Sequence, residues 1–209
     1  MVKVIQINVG AFDNNFSYLV VGEGGYYKEA VLIDPTGNID LIKKEITRLN
    51  LKVVLELFTH AHPDHCELKE DFEKDGVKSF CPNFAKLGET ELLNAAGFNI
   101  KVIHTPGHTK ESVCFLIENN LFTGDTLFVK GVGTTKYGGK DNELSDSLTF
   151  LSTLDKNITL WPGHDYGGAS STLETALSNS HLKPNEKMQE KIKKMVKDYE
   201  AKFANQKRF

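Results

Sequence analysis

The chain has 209 residues, of which 40% are hydrophobic and 25% charged, with a formal net charge of −3. This fits one globular domain over residues 1–209 and excludes a membrane-spanning helix, since no apolar run approaches the ~18 residues needed. Residues 1–180 carry 24 acidic and 16 basic side chains, and residues 181–209 carry 4 and 9, so the body offers no basic surface for nucleic acid.

The first third reads as strands: Val2 to Val9, Phe16 to Gly22 and Ala30 to Ile33, separated by Gly/Asn turns such as Gly22-Glu23-Gly24-Gly25. Ile39, Ile42, Ile46 and Leu49 form a helical stripe with Asn38 as N-cap. Lys52 to Phe58 is the next strand, and a helix is expected over Asp64 to Glu73. Lys78 to Phe80, Lys101 to His104, Ser112 to Glu118 and Leu121 to Thr123 read as brief strands, Asp146 to Leu154 as a helix and Ile158 to Trp161 as a strand. Met188, Ile192, Met195, Val196, Tyr199 and Phe203 fall on one stripe, which predicts a C-terminal helix over about 185–204 whose lysines solvate its exposed face. Periodicity alone indicates a mixed α and β chain.

Three cysteines without C-x-x-C spacing fit reduced thiols better than a disulfide framework. The chain opens on a strand-like stretch rather than a signal-peptide pattern, so a cytoplasmic protein is expected.

Six of the seven histidines fall in three clusters. The first is His60-Ala61-His62-Pro63-Asp64-His65, the second His104-Thr105-Pro106-Gly107-His108 with Gly124-Asp125 beyond it, and the third Gly163-His164-Asp165. Imidazole and carboxylate are donors that zinc, iron and manganese accept. Four such groups within six residues cannot all face one ion, so the packing suggests two adjacent metals. His104 reads as a structural hydrogen-bonding residue. Glycines directly before His108, Asp125 and His164 let the loops approach closely.

These clusters resemble the metallo-β-lactamase superfamily, in particular its glyoxalase II (hydroxyacylglutathione hydrolase) branch. The likeness is carried also by Asp13-Asn14-Asn15-Phe16-Ser17-Tyr18-Leu19, Leu32-Ile33-Asp34-Pro35, Thr123-Gly124-Asp125-Thr126-Leu127-Phe128 and Gly163-His164-Asp165-Tyr166. It implies an α/β fold, a four-layer αββα sandwich. It implies that His60, His62 and His108 hold one divalent metal, that Asp64, His65 and His164 hold a second, and that Asp125 bridges them; zinc is expected, with iron or manganese as alternatives. The implied reaction is hydrolysis of a small-molecule thioester by a metal-bridging hydroxide, with Asp64 and Asp125 in the catalytic machinery. Asp34, at a strand end, would accept an N–H from a ligand imidazole.

The resemblance weakens at the substrate. The family places a basic residue and an aromatic after a G-x-G; here Gly131-Val132-Gly133 is followed by Thr134-Thr135, with Lys136-Tyr137 displaced downstream, while Tyr166 matches the aromatic after the last histidine. Lys136, Tyr137 and Tyr166 are therefore the expected substrate contacts. The alternatives are a single-iron persulfide dioxygenase, whose usual Arg-Thr-Asp-Phe is here Thr134-Thr135-Lys136-Tyr137, and a non-catalytic metal-binding module.

Overall fold

The computed structural model describes residues 2–10, 13–22, 28–80, 84, 86–183, 185, 188, 190–194 and 197. Two sheets form the centre. The first has five strands in the order β1 (Lys3–Asn8), β2 (Phe16–Val21), β3 (Lys28–Ile33), β4 (Leu51–Leu57) and β5 (Lys78–Phe80). The second has six: β11 (Ser171–Thr172), β10 (Thr159–Pro162), β9 (Asn120–Gly124), β8 (Val113–Ile117), β7 (Phe98–His104) and β6 (Thr90–Ala95).

Alternation along the strands assigns each face. On β2, Tyr18 and Val20 point into a core shared with Val102, Phe115 and Phe122 of the other sheet, while Leu19 and Val21 point to the outer side. There they meet Ile42 of α1 (Ile39–Arg48), Leu68, and Phe72 of α3 (Lys69–Lys74). On the second sheet Ile103, Cys114, Leu121 and Leu160 turn outward against Leu148 and Leu151 of α4 (Asp141–Leu151) and Leu173 and Leu177 of α5 (Leu173–Asn179). The layers are helix, sheet, sheet, helix, the αββα sandwich expected. Asn38 caps α1 as predicted, its side chain accepting the Asp40 N–H at 3.0 Å.

Several local expectations change. The helix expected over 64–73 is two short ones, α2 (Pro63–Cys66) and α3, because the Leu68 N–H turns aside to the Pro35 carbonyl at 3.1 Å and Leu68 is buried. The helix expected from Asp146 begins at Asp141: the Lys140 N–H docks on the Gly107 carbonyl at 2.8 Å, a tertiary start with no capping side chain. The β6–β7 hairpin, read only from Lys101, turns on Ala96 and Gly97, both at positive φ. An alanine where Asn or Asp is usual conceals that two-residue turn. The short α5, capped by Thr172, was not anticipated.

In the expected C-terminal helix, Met188, residues 190–194 and Lys197 are helical, and Ile192 is buried against the α4–α5 layer. The remaining stripe residues, and most of the turn expected at 22–25, lie outside the described residues.

Candidate metal centre

Apart from His104, the histidine clusters sit just beyond the C-terminal ends of β4, β7 and β10, and Asp125 just beyond that of β9, one edge of the sandwich where a rigid sheet feeds short loops. His60 follows β4, His108 lies on the loop after β7, Asp125 follows β9 and His164 follows β10. Residues far apart in sequence therefore converge.

One group consists of imidazoles alone. His60 Nε2 lies 3.1 Å from His62 Nδ1, His108 Nε2 lies 3.0 Å from His62 Nδ1, and the His60 and His108 Nε2 atoms are 3.2 Å apart. The second group mixes charge types: Asp64 Oδ2 lies 3.5 Å from His164 Nε2 and 3.8 Å from His65 Nε2, and the two Nε2 atoms are 3.3 Å apart. Asp125 stands between the groups. Its Oδ1 faces His65 and His164 at 3.2 and 3.4 Å, and its Oδ2 faces His108 at 3.6 Å.

The far side of each ring explains its orientation. His108 Nδ1 donates to the Thr134 carbonyl at 2.7 Å and His164 Nδ1 to the Asp13 carbonyl at 2.8 Å. His65 Nδ1 donates to Asp34 Oδ2 at 3.0 Å. Thr59 Oγ1 donates to the same carboxylate at 2.6 Å, which leaves it to accept from His60 Nδ1 at 3.2 Å. In each case the Nδ1–H is consumed outside and Nε2 is aimed inward, the arrangement that fixes the ring orientation of a ligand imidazole. Asp34 is itself buried, and its other oxygen accepts the Thr59 N–H at 2.7 Å.

Close packing makes glycine necessary at two points. A Cβ at Gly163 would lie 2.6 Å from Asp125 Oδ1 and 2.7 Å from His65 Cε1. At Gly133 it would lie 2.6 Å from His108 Nδ1 and 2.2 Å from the Asp125 carbonyl. Any larger residue would displace the cluster.

The two groups differ in proton affinity. Burial pushes the His60 and His108 imidazoles below the usual histidine range, so both are neutral at pH 7. Burial would lower His65 and His164 too, but the Asp125 carboxylate outweighs it, aided by Asp34 at His65 and Asp64 at His164. His65 rises and His164 is pushed up to about 10. Conversely, burial would raise Asp64 and Asp125. The His164 hydrogen bond and His65 charge hold Asp64 below the carboxylate range, and the His65 charge with bonds from His164 and His65 does so for Asp125.

In front of the cluster lies a cleft of about 410 Å³ lined by Asp13, His62, Pro63, Asp64, His108, Asp125, Thr134, Tyr137, His164 and Tyr166. Tyr137 and Tyr166 are thus at the cleft, whereas Lys136 is exposed and outside its lining. His104 is remote, its ring nitrogens 2.8 Å from the Lys86 and Lys110 carbonyls.

Two contributors carried no assigned role in the sequence reading. Asn15, fully buried, donates to the Asp64 carbonyl at 2.7 Å and to Asp64 Oδ2 at 3.4 Å. Asp13 holds His164 through its carbonyl and accepts the Tyr166 hydroxyl. Both belong to the Asp13–Leu19 stretch, whose motif marked them without saying why.

The profile of the metallo-beta-lactamase superfamily matches residues 68–164. A hydroxyacylglutathione hydrolase of Pelagibacter ubique is 33% identical over 90% of this chain and 80% of its own length. A probable polyketide biosynthesis zinc-dependent hydrolase of Bacillus velezensis is 28% identical over 80% of each. Among solved structures, that of ETHE1 from Myxococcus xanthus superposes with a TM-score of 0.68 at 28% identity, covering 83% of this chain and 80% of that one. With the sandwich, the convergent histidines and these relatives in agreement, the chain belongs to the metallo-β-lactamase superfamily, among metallo-hydrolases with glyoxalase II-like relatives.

Proposed function

We propose that this protein hydrolyses small-molecule thioesters of the hydroxyacyl-thiol type, using two divalent metal ions, preferably zinc. The carrying observation is Asp125, each of whose oxygens faces one of two complete donor triads. The donors fit metal: three imidazole nitrogens face one another at 3.0, 3.1 and 3.2 Å in one triad, and two imidazoles face the Asp64 and Asp125 carboxylates in the other. His60, His62 and His108 would hold one ion and Asp64, His65 and His164 the other, with Asp125 shared. Bound there, such ions supply Lewis acidity toward a carbonyl and lower the pKa of water toward ~7.

The chain's own groups do the rest. Asp125 fixes the spacing of the two triads. Asp64, held by Asn15, is placed to accept a hydrogen bond from the attacking water. Tyr137, Tyr166 and Thr134 wall the space for the acyl and thiol groups. Water adds to the acyl carbon, the C–S bond breaks, and acid and thiol leave. Iron and manganese accept the same donors, and the free thiols Cys66 and Cys114 suit a reducing cytoplasm.

A persulfide dioxygenase with a single iron is the second reading, favoured by the likeness to ETHE1. A single ion would leave one whole triad without a role, so the hydrolase is preferred. The test is elemental analysis combined with activity: two metal equivalents with chelator-sensitive thioester hydrolysis support the reading. One iron with oxygen consumption on glutathione persulfide refutes it.

A further inference from the structure

Beyond the metal-ligating cluster the cleft is walled by Asp13, Pro63, Thr134, Tyr137 and Tyr166. Among the described residues, no lysine or arginine lines it. Its carboxylates are Asp64 and Asp125, which the proposed function assigns to metal, and Asp13, which it does not. The charge of Asp13 therefore remains to act on whatever arm of a substrate extends past the cluster.

Asp13 is not a loose surface carboxylate. Its carbonyl holds His164, its side chain accepts the Tyr166 hydroxyl, and the Tyr166 ring stacks on His164 at 5.2 Å with 7° between planes. Tyr137, 74% exposed, stands edge-on to His62 at 6.4 Å. A fixed carboxylate in a cleft with two tyrosine rings attracts a cation through charge and ring faces and repels an anion.

We propose that Asp13 selects the thiol half of the substrate by charge, so that the cleft accepts thioesters with a neutral or cationic thiol arm and disfavours arms bearing carboxylates. This rests on the thioester-hydrolase reading and narrows it. A tripeptide thiol with two carboxylates would meet Asp13 with no described basic side chain to pair with.

The test compares three acetyl thioesters of similar size on the metal-loaded protein, with thiol release followed colorimetrically. Acetylthiocholine has a cationic arm, S-acetyl-N-acetylcysteamine a neutral one and S-acetyl-thioglycolate an anionic one. The expected kcat/KM falls in that order, with the cation ahead of the anion by about tenfold or more, and the ratio shrinks in high salt. Asp13→Asn keeps an acceptor for Tyr166 and should bring the cation-to-anion ratio close to one; Asp13→Lys should invert it. Dissociation constants of the matching thioethers should shift in the same sense on Asp13→Asn. If the neutral ester turns over while the anion equals or beats the cation, or if Asp13→Asn leaves the ratio unmoved, the inference is wrong and the hydrolase reading stands. Failure of all three esters and of a 2-hydroxyacyl thioester of N-acetylcysteamine run beside them removes both.

Discussion

The two halves of the proposed metal centre are built from different chemistry. The His60, His62 and His108 half is made of imidazoles, and burial keeps His60 and His108 neutral. The Asp64, His65 and His164 half is a network of opposite charges in which two imidazoles are driven toward the protonated form by Asp125, Asp34 and Asp64. An ion entering the first half meets free lone pairs. One entering the second must displace protons already paired to carboxylates, so the halves should differ in strength, pH dependence and sensitivity to their supports.

Asp125 joins the halves, and removing its charge should have the largest effect. Asp125→Asn keeps the shape but withdraws the anion that faces both triads, so turnover should fall by about 10³-fold or more and the second-half metal should be lost first. Steady-state kinetics alongside metal analysis reads both; near-normal activity and full metal content would rule out a bridging role.

The next effect is confined to one side. Asp34 grips His65 directly but reaches His60 only through Thr59. Asp34→Asn should therefore weaken metal binding about 10- to 100-fold in the second half and far less in the first. Equal weakening of both sites in a chelator competition would contradict the asymmetry.

Proton linkage sharpens the contrast. With His164 raised to about 10, metal uptake in the second half should release protons, and its affinity should rise about tenfold per pH unit for each proton displaced across pH 6 to 9. The first half should be nearly flat there, because its buried imidazoles are already neutral. Calorimetric titrations in buffers of different ionisation heat count the protons; equal slopes at both sites would erase the distinction.

The smallest effect on the metal-binding halves is expected from a control outside both. Glu56, on β4, is buried with Oε1 unpaired and Oε2 accepting from Ser79 at 2.7 Å; burial pushes it up to about 7. Its folded-state pKa exceeds the unfolded value of 4.5, so its contribution to stability is full below pH 4.5 and is lost as pH rises through 7. The loss is of the order of 3 kcal/mol. Glu56→Gln should flatten that stretch of the stability profile in denaturant melts at pH 5 and 8, without changing the metal ratio between the halves.

The range of each contact decides how legible it is in the sequence. His60, His62, Asp64 and His65 lie in one short run, and each remaining proposed ligand adjoins a glycine that allows close approach, so the candidate donors were legible as a pattern. What orients them was not. The Asp13 carbonyl reaches His164 across 151 positions, Asn15 reaches Asp64 across 49, and the Thr134 carbonyl reaches His108 across 26. Two of these partners are backbone atoms, which no residue type announces. The same holds for the fold: long strands with clear alternation were readable, while the Ala96-Gly97 hairpin and the uncapped start of α4 depend on backbone geometry and tertiary docking. Lys136, selected by its distance from a G-x-G, falls outside the cleft because the loop carries Thr134 and Tyr137 there instead.

The central claim, two dissimilar metal positions sharing Asp125, is tested most directly by anomalous diffraction at the metal edge from crystals of the metal-loaded protein. Two peaks about 3.5–4 Å apart are expected, one among His60, His62 and His108, the other among Asp64, His65 and His164, with Asp125 between them. As metal is withdrawn, the second peak should fade first. A single peak at saturation, with all seven side chains ordered, would contradict it.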